Sequence, residues 1–106
     1  MVELDNIRIE LNSYKTPLEE IEAALDLDAK RQKVEELERK MEEPNFWDNA
    51  EAAQLQTKEL SDLKTSIKTV EDLKQQFEDI YTLIDMANEE EDASMVAEII
   101  EEYNSF

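Results

Sequence analysis

The sequence predicts an all-α protein, an antiparallel helical bundle with coiled-coil-like packing around one long helix. Apolar residues recur at three- and four-residue steps from Leu4 to Tyr103, which is the period of a buried helix face. The chain has no glycine and only two prolines in 106 residues, so it lacks most of the punctuation that strands and tight turns need. The remaining surface is built mainly from charged, helix-favouring residues. Together these features predict a single helical domain over residues 1–106.

The first helix is expected over residues 2–25, where Leu4, Ile7, Leu11, Tyr14, Leu18, Ile21 and Leu25 form one a/d seam. Pro17 lies inside it, removes an amide donor and crowds the carbonyl of Ser13, so a kink is expected near Pro17 with Thr16 as the cap of the second piece. A second helix is expected over 28–43, opened by Asp26 or Asp28 and ended by Glu42-Glu43-Pro44, with Leu27, Val34, Leu37 and Met41 on its buried face. After Pro44-Asn45-Phe46-Trp47, Asp48 or Asn49 caps a third helix over 49–87, about 60 Å long at about 1.5 Å per residue. Its stripe is Leu60, Leu63, Ile67, Val70, Phe77, Ile80, Tyr81, Ile84 and Ala87. A fourth helix is expected over 93–105, capped by Asp92 or Ser94, with Val96, Ile99, Ile100 and Tyr103 inward. Its stripe ends abruptly at Tyr103 and Phe106, which leads us to expect a longer natural chain.

Several function classes are set aside by composition. Without glycine there is no phosphate-cradling loop, dinucleotide fingerprint or nucleophile elbow. Without histidine or cysteine there is no zinc site, no Cys or His nucleophile and no disulfide. No calcium-loop spacing occurs, so neither a metal nor another cofactor is expected, and the residue inventory points away from enzyme chemistry. The net charge of −18 disfavours free DNA or RNA, whose phosphates are bound by cations, and suits a basic protein partner. Residues 1–50 hold 7 basic and 14 acidic side chains, residues 51–106 hold 4 and 15, and none is basic after Lys74. The acidic N-terminus is unlike a signal peptide, and no window is apolar enough to span a bilayer, so a cytoplasmic protein with no membrane partner is expected.

Two groups of residues stand out. Phe46 and Trp47 sit side by side at the expected corner between the second and third helices. They could serve as a binding hot spot, but the plainer reading is that they plug the end of the bundle, in which case truncating either would cost about 3–5 kcal/mol. Lys30, Arg31, Lys33, Arg39 and Lys40 form the one concentration of positive charge and are the candidates for contact with RNA phosphate. The plainer reading is a set of i,i+4 pairs with Glu35, Glu36 and Glu43 on a solvated face. The acidic run Glu89–Asp92 reads most simply as a solvated loop.

Three stretches give the chain a family resemblance. Leu25-Asp26-Leu27-Asp28, the helix carrying Val34-Glu35-Glu36-Leu37, and Glu43-Pro44-Asn45-Phe46-Trp47-Asp48-Asn49 together resemble the bacterial peptide chain release factor 2 family in order and spacing. The rest of the chain resembles its N-terminal region in general plan. Release factor 1 shares the general fold, but the Asp-Leu-Asp run and the Pro-Asn-Phe-Trp corner favour factor 2.

The resemblance implies the helical first domain of a larger factor that reads UGA and UAA through a Ser-Pro-Phe tripeptide. That factor promotes peptidyl-tRNA hydrolysis through a Gly-Gly-Gln loop. Neither motif is in this chain, which has no glycine and no proline after a serine. The resemblance also implies contact with the stalk-base, factor-binding region of the ribosome and interplay with the GTPase release factor. The alternative reading is a free-standing acidic coiled-coil adaptor. Pro17 departs from the continuous first helix expected of the family.

Overall fold

The computed structural model describes all residues from Met1 to Phe106 and contains helices and no strands. Five α-helices follow in order: α1 (Val2–Asn12), α2 (Lys15–Leu25), α3 (Leu27–Met41), α4 (Ala50–Glu90) and α5 (Val96–Ser105). Short 3-10 turns at Phe46–Asp48 and Ala93–Met95 precede α4 and α5. The protein is all-α, as its apolar period requires.

The first segment is two helices instead of one kinked helix, and the break falls at Ser13-Tyr14. Pro17 cannot donate to the Ser13 carbonyl, so the chain leaves the helix one turn before the ring. The Ser13 amide donates to the Glu10 carbonyl at 3.1 Å and the Tyr14 amide to that of Leu11 at 3.0 Å, closing α1. Pro17 then stands in the first turn of α2, where a missing amide costs little. Thr16 therefore lies inside α2, and it is the Tyr14 carbonyl that accepts from Leu18 at 3.0 Å.

The other joints are made by side chains with carboxylate or amide oxygens. Asp26 adopts a left-handed conformation (φ 45°, ψ 69°) and its carboxylate accepts from the Ala29 amide at 3.2 Å, opening α3. Asn49 Oδ1 accepts from the Ala52 amide at 3.1 Å, opening α4. At the far end of α4, Glu91 is left-handed at φ 52°. The Asp92 amide reaches back to the Ala87 carbonyl at 3.0 Å and the Glu91 amide to that of Asn88 at 3.3 Å. That is a Schellman ending with glutamate where glycine is usual. α4 thereby runs through Asn88-Glu89-Glu90, so the first half of the acidic run Glu89–Asp92 is helical and the second half makes the turn.

The chain divides into two compact units, the first formed by Met1–Ile21 with Glu71–Phe106 and the second by Glu22–Val70. In the first unit, Leu4, Ile7 and Leu11 of α1 meet Ile80, Ile84 and Ala87 of α4 and Ile99 of α5, all of them buried. Arg8 pairs with Asp85 and lies over the Tyr81 ring, 5.7 Å from its centroid. The Tyr81 hydroxyl lies 3.2 Å from Asn12 Oδ1, and Gln76 Nε2 donates to the Glu102 carbonyl at 3.2 Å. Tyr103 hydrogen-bonds Glu10, and its phenol is pushed up to about 12, first by burial and then by that bond and the Glu10 charge.

In the second unit, Leu27 and Leu37 of α3 and Ala53, Leu60 and Val70 of α4 are buried. Lys64 of α4 reaches Glu38 of α3 at 2.8 Å. Phe46 is half-buried and meets Trp47 edge-to-face at 4.7 Å between centroids. Trp47 itself is 57% exposed, so it does not plug a core.

Three outcomes are expected. Glu91→Gly removes the left-handed penalty of a residue with a Cβ, and the midpoint of denaturant unfolding should rise by the equivalent of about 1 kcal/mol. The corner should be asymmetric, with Phe46→Ala costing about 1–3 kcal/mol and Trp47→Ala less than about 1 kcal/mol in the same assay. Folding favours the neutral Tyr103 phenol, so its stabilisation is complete below the ordinary value of 10.0 and is lost as pH rises through about 12. Alkaline titration of phenolate absorbance should show a step there that Tyr103→Phe abolishes.

Candidate functional site

Two surfaces invite a functional reading, one in each unit. In the second unit the five cations of α3 occupy an amphipathic helix whose buried residues are Leu27 and Leu37. Arg31 Nη1 lies 3.3 Å from Asp28 Oδ1, Lys33 Nζ 3.8 Å from Glu36 Oε1, and Lys40 Nζ 3.5 Å from the same Glu36 oxygen. Glu36 therefore serves two lysines, one at i−3 and one at i+4. Each of these pairs is solvent-exposed and contributes at most about 1 kcal/mol. Arg39 and Lys40 occupy the last turn of α3, where they also complement the negative end of the helix dipole.

Lys30 stands apart from those pairs. It is half-buried and lines a shallow hollow of about 350 Å³ together with Leu55, Lys58, Asp62 and Leu63 of α4. Leu55 is 67% exposed there, and Lys58 Nζ is tied to Asp62 Oδ2 at 2.9 Å. Much of the positive charge on this face is thus balanced by neighbouring carboxylates. Trp47 and Phe46 lie in the turn that leads into α4, with the indole facing water.

The first unit holds the larger feature, a recess of about 380 Å³ with mainly apolar walls. Tyr14, Leu18 and Ile21 come from the segment around α2, Leu73 from α4, and Tyr103 and Phe106 from the end of α5. Phe106 meets Tyr14 edge-to-face at 5.6 Å and tilts against Phe77 at 6.0 Å, so the mouth of the recess is framed by rings in contact. The periodic reading of the first helix placed Tyr14, Leu18 and Ile21 in one continuous seam with Leu11. The break at Ser13-Tyr14 interrupts that seam, and Tyr14 and Ile21 are left exposed. Proline inside an apolar seam was the one sequence signal of an open apolar surface at this point.

Chemically, these surfaces offer apolar contact and charge. No cluster of three or more acidic side chains is arranged to hold a metal ion. No side-chain nitrogen or oxygen is buried without a hydrogen-bond partner. No helix is long and apolar enough to cross a membrane.

Comparison with known proteins gives these surfaces a context. A family model described as the PCRF domain matches residues 30–106. Peptide chain release factor 2 of Saccharopolyspora erythraea is 36% identical over 93 residues, covering 88% of this chain and 25% of that protein. The factor of the same name from Streptomyces avermitilis is 40% identical over 89 residues, covering 84% and 24%. That from an Exiguobacterium species is 38% identical over 98 residues, covering 92% and 27%. The chain thus spans about a quarter of the length of the curated relatives it matches. With most of its helical length inside the matched domain, the chain belongs to the PCRF-domain family, among the peptide chain release factor 2 sequences.

Proposed function

We propose that this chain is the N-terminal, ribosome- and factor-interacting domain of a cytoplasmic translation termination factor that recognises UGA and UAA in its full-length form. The similarity to peptide chain release factor 2 across most of the chain carries this reading. The chemistry of the residues agrees with a binding role. A chain with no glycine, histidine or cysteine holds neither a Gly-Gly-Gln loop nor an evident acid, base or nucleophile array, so it contributes contacts and no hydrolysis. Its partners are the stalk-base region of the ribosome and, through the complete factor, the GTPase release factor. A domain of net charge −18 is suited to meeting basic protein surface on such partners.

The reading is tested on ribosomes carrying peptidyl-tRNA at a UGA codon. Residues 1–106 alone, in large excess, should release no peptide, and should slow release by a complete factor 2 in a way that added salt relieves. Peptide release by the fragment would overturn the non-catalytic assignment. A complete factor working at full speed beside it would remove the interaction role.

A further inference from the structure

We propose that the recess in the first unit is a docking groove for a basic, amphipathic segment of a partner protein, with its apolar side chains seated among Leu18, Ile21, Leu73 and Tyr103. The inference deepens the interaction-domain reading and rests on it for the existence of a partner, while the groove itself is read from geometry and charge.

Shape comes first. The recess of about 380 Å³ falls within the size range of ligand sites and accepts large apolar side chains. Tyr14 and Ile21 keep 46% and 44% of their surface exposed at its edge, so apolar area is left for a partner to cover. Its walls are held in place. Tyr103 is bonded to Glu10, Phe106 is braced by Tyr14 and Phe77, and Pro17 restricts the backbone of the α2 wall. A held wall loses little entropy when an anchor enters.

Charge then selects the occupant. The first unit carries 17 carboxylates against 3 cations, a net charge of −14, whereas the second carries 12 against 8. One of those three cations, Arg8, is already engaged with Asp85 and Tyr81. Close in sequence to the lining residues, or bonded to one of them, Glu10, Glu19, Glu20, Asp72 and Glu102 outnumber Lys15 and Lys74. A second copy of this chain would bring the same −14 against it, and a nucleic acid would bring phosphate. A segment with leucine-like residues on one face and lysine or arginine on the other satisfies both the apolar walls and the acidic surround.

The test uses the isotope-labelled chain and no ribosomes, so its failure leaves the termination-factor assignment standing and is distinguishable from failure of that assignment. The probe is a helical leucine/lysine peptide with its leucines on one face, compared with a scrambled isomer whose leucines are spread around the helix. At about 0.15 M salt the amphipathic peptide should move the amide resonances of Leu18, Ile21, Leu73 and Tyr103 and bind at least about ten-fold more tightly than its isomer. Ile21→Asp, at a position already 44% exposed, should retain the helical circular dichroism spectrum and lose about ten-fold in affinity. Equal binding of the isomer, resonance shifts confined to other surfaces, or unchanged affinity in Ile21→Asp would each overturn the proposal. So would a dimer in sedimentation that the peptide does not dissociate, because the groove would then belong to a second copy.

Discussion

The apolar stripe of α4 is the constraint on which the remaining packing depends. A helix of forty-one consecutive residues is kept by burying one face along its length. Ala53, Leu60 and Val70 are buried in one unit and Ile80, Ile84 and Ala87 in the other. The seven-residue steps from Ala53 to Leu60, Phe77 to Ile84 and Ile80 to Ala87 keep the stripe on a face that can meet neighbouring helices. α3 supplies the cover in the second unit. In the first, α1 and α5 supply it, and both are too short to be stable helices without that contact.

Electrostatics act in the opposite direction. A net charge of −14 in the first unit is self-repulsive, and one of its three cations is used to hold two helices together. That cation is Arg8, which joins α1 to α4 through both Asp85 and the face of Tyr81. The second unit behaves differently, with Glu36 and Glu38 absorbing lysines from α3 and α4 into exposed pairs. The same amino-acid types therefore leave one unit strongly acidic and the other nearly balanced. That division underlies the choice of the first unit as the place where a basic partner is received.

A chain without glycine must turn its helices by other means. Asp26 and Glu91 both enter the left-handed region, where Asp is tolerated because its short side chain can bond locally and Glu is held by two backbone hydrogen bonds. Asn49 caps through its amide oxygen, and the Ser13 hydroxyl joins its amide on the Glu10 carbonyl. These joints are local, which is why Asp26 and Asn49 were legible as caps from sequence. Glu91 was not legible, because nothing in its side chain marks it for a left-handed turn.

Local chemistry and period alone determined the all-α class, the long stripe from Leu60 to Ala87, the inward residues of α3 and the absence of loop-based catalytic motifs. Each follows from neighbours three or four residues apart, so no distant contact is needed to see it. Tertiary structure decided what depends on residues far apart in the chain. It brought Met1–Ile21 onto Glu71–Phe106, and so gathered charges that look only mildly uneven along the sequence into one acidic unit. It left Trp47 facing water while Phe46 beside it turned inward, a choice that the pair of aromatic letters does not contain. It also opened a recess where the seam through Tyr14, Leu18 and Ile21 had read as closed, because a proline shifts the phase of a helix and only the packed neighbours determine which face is then left uncovered.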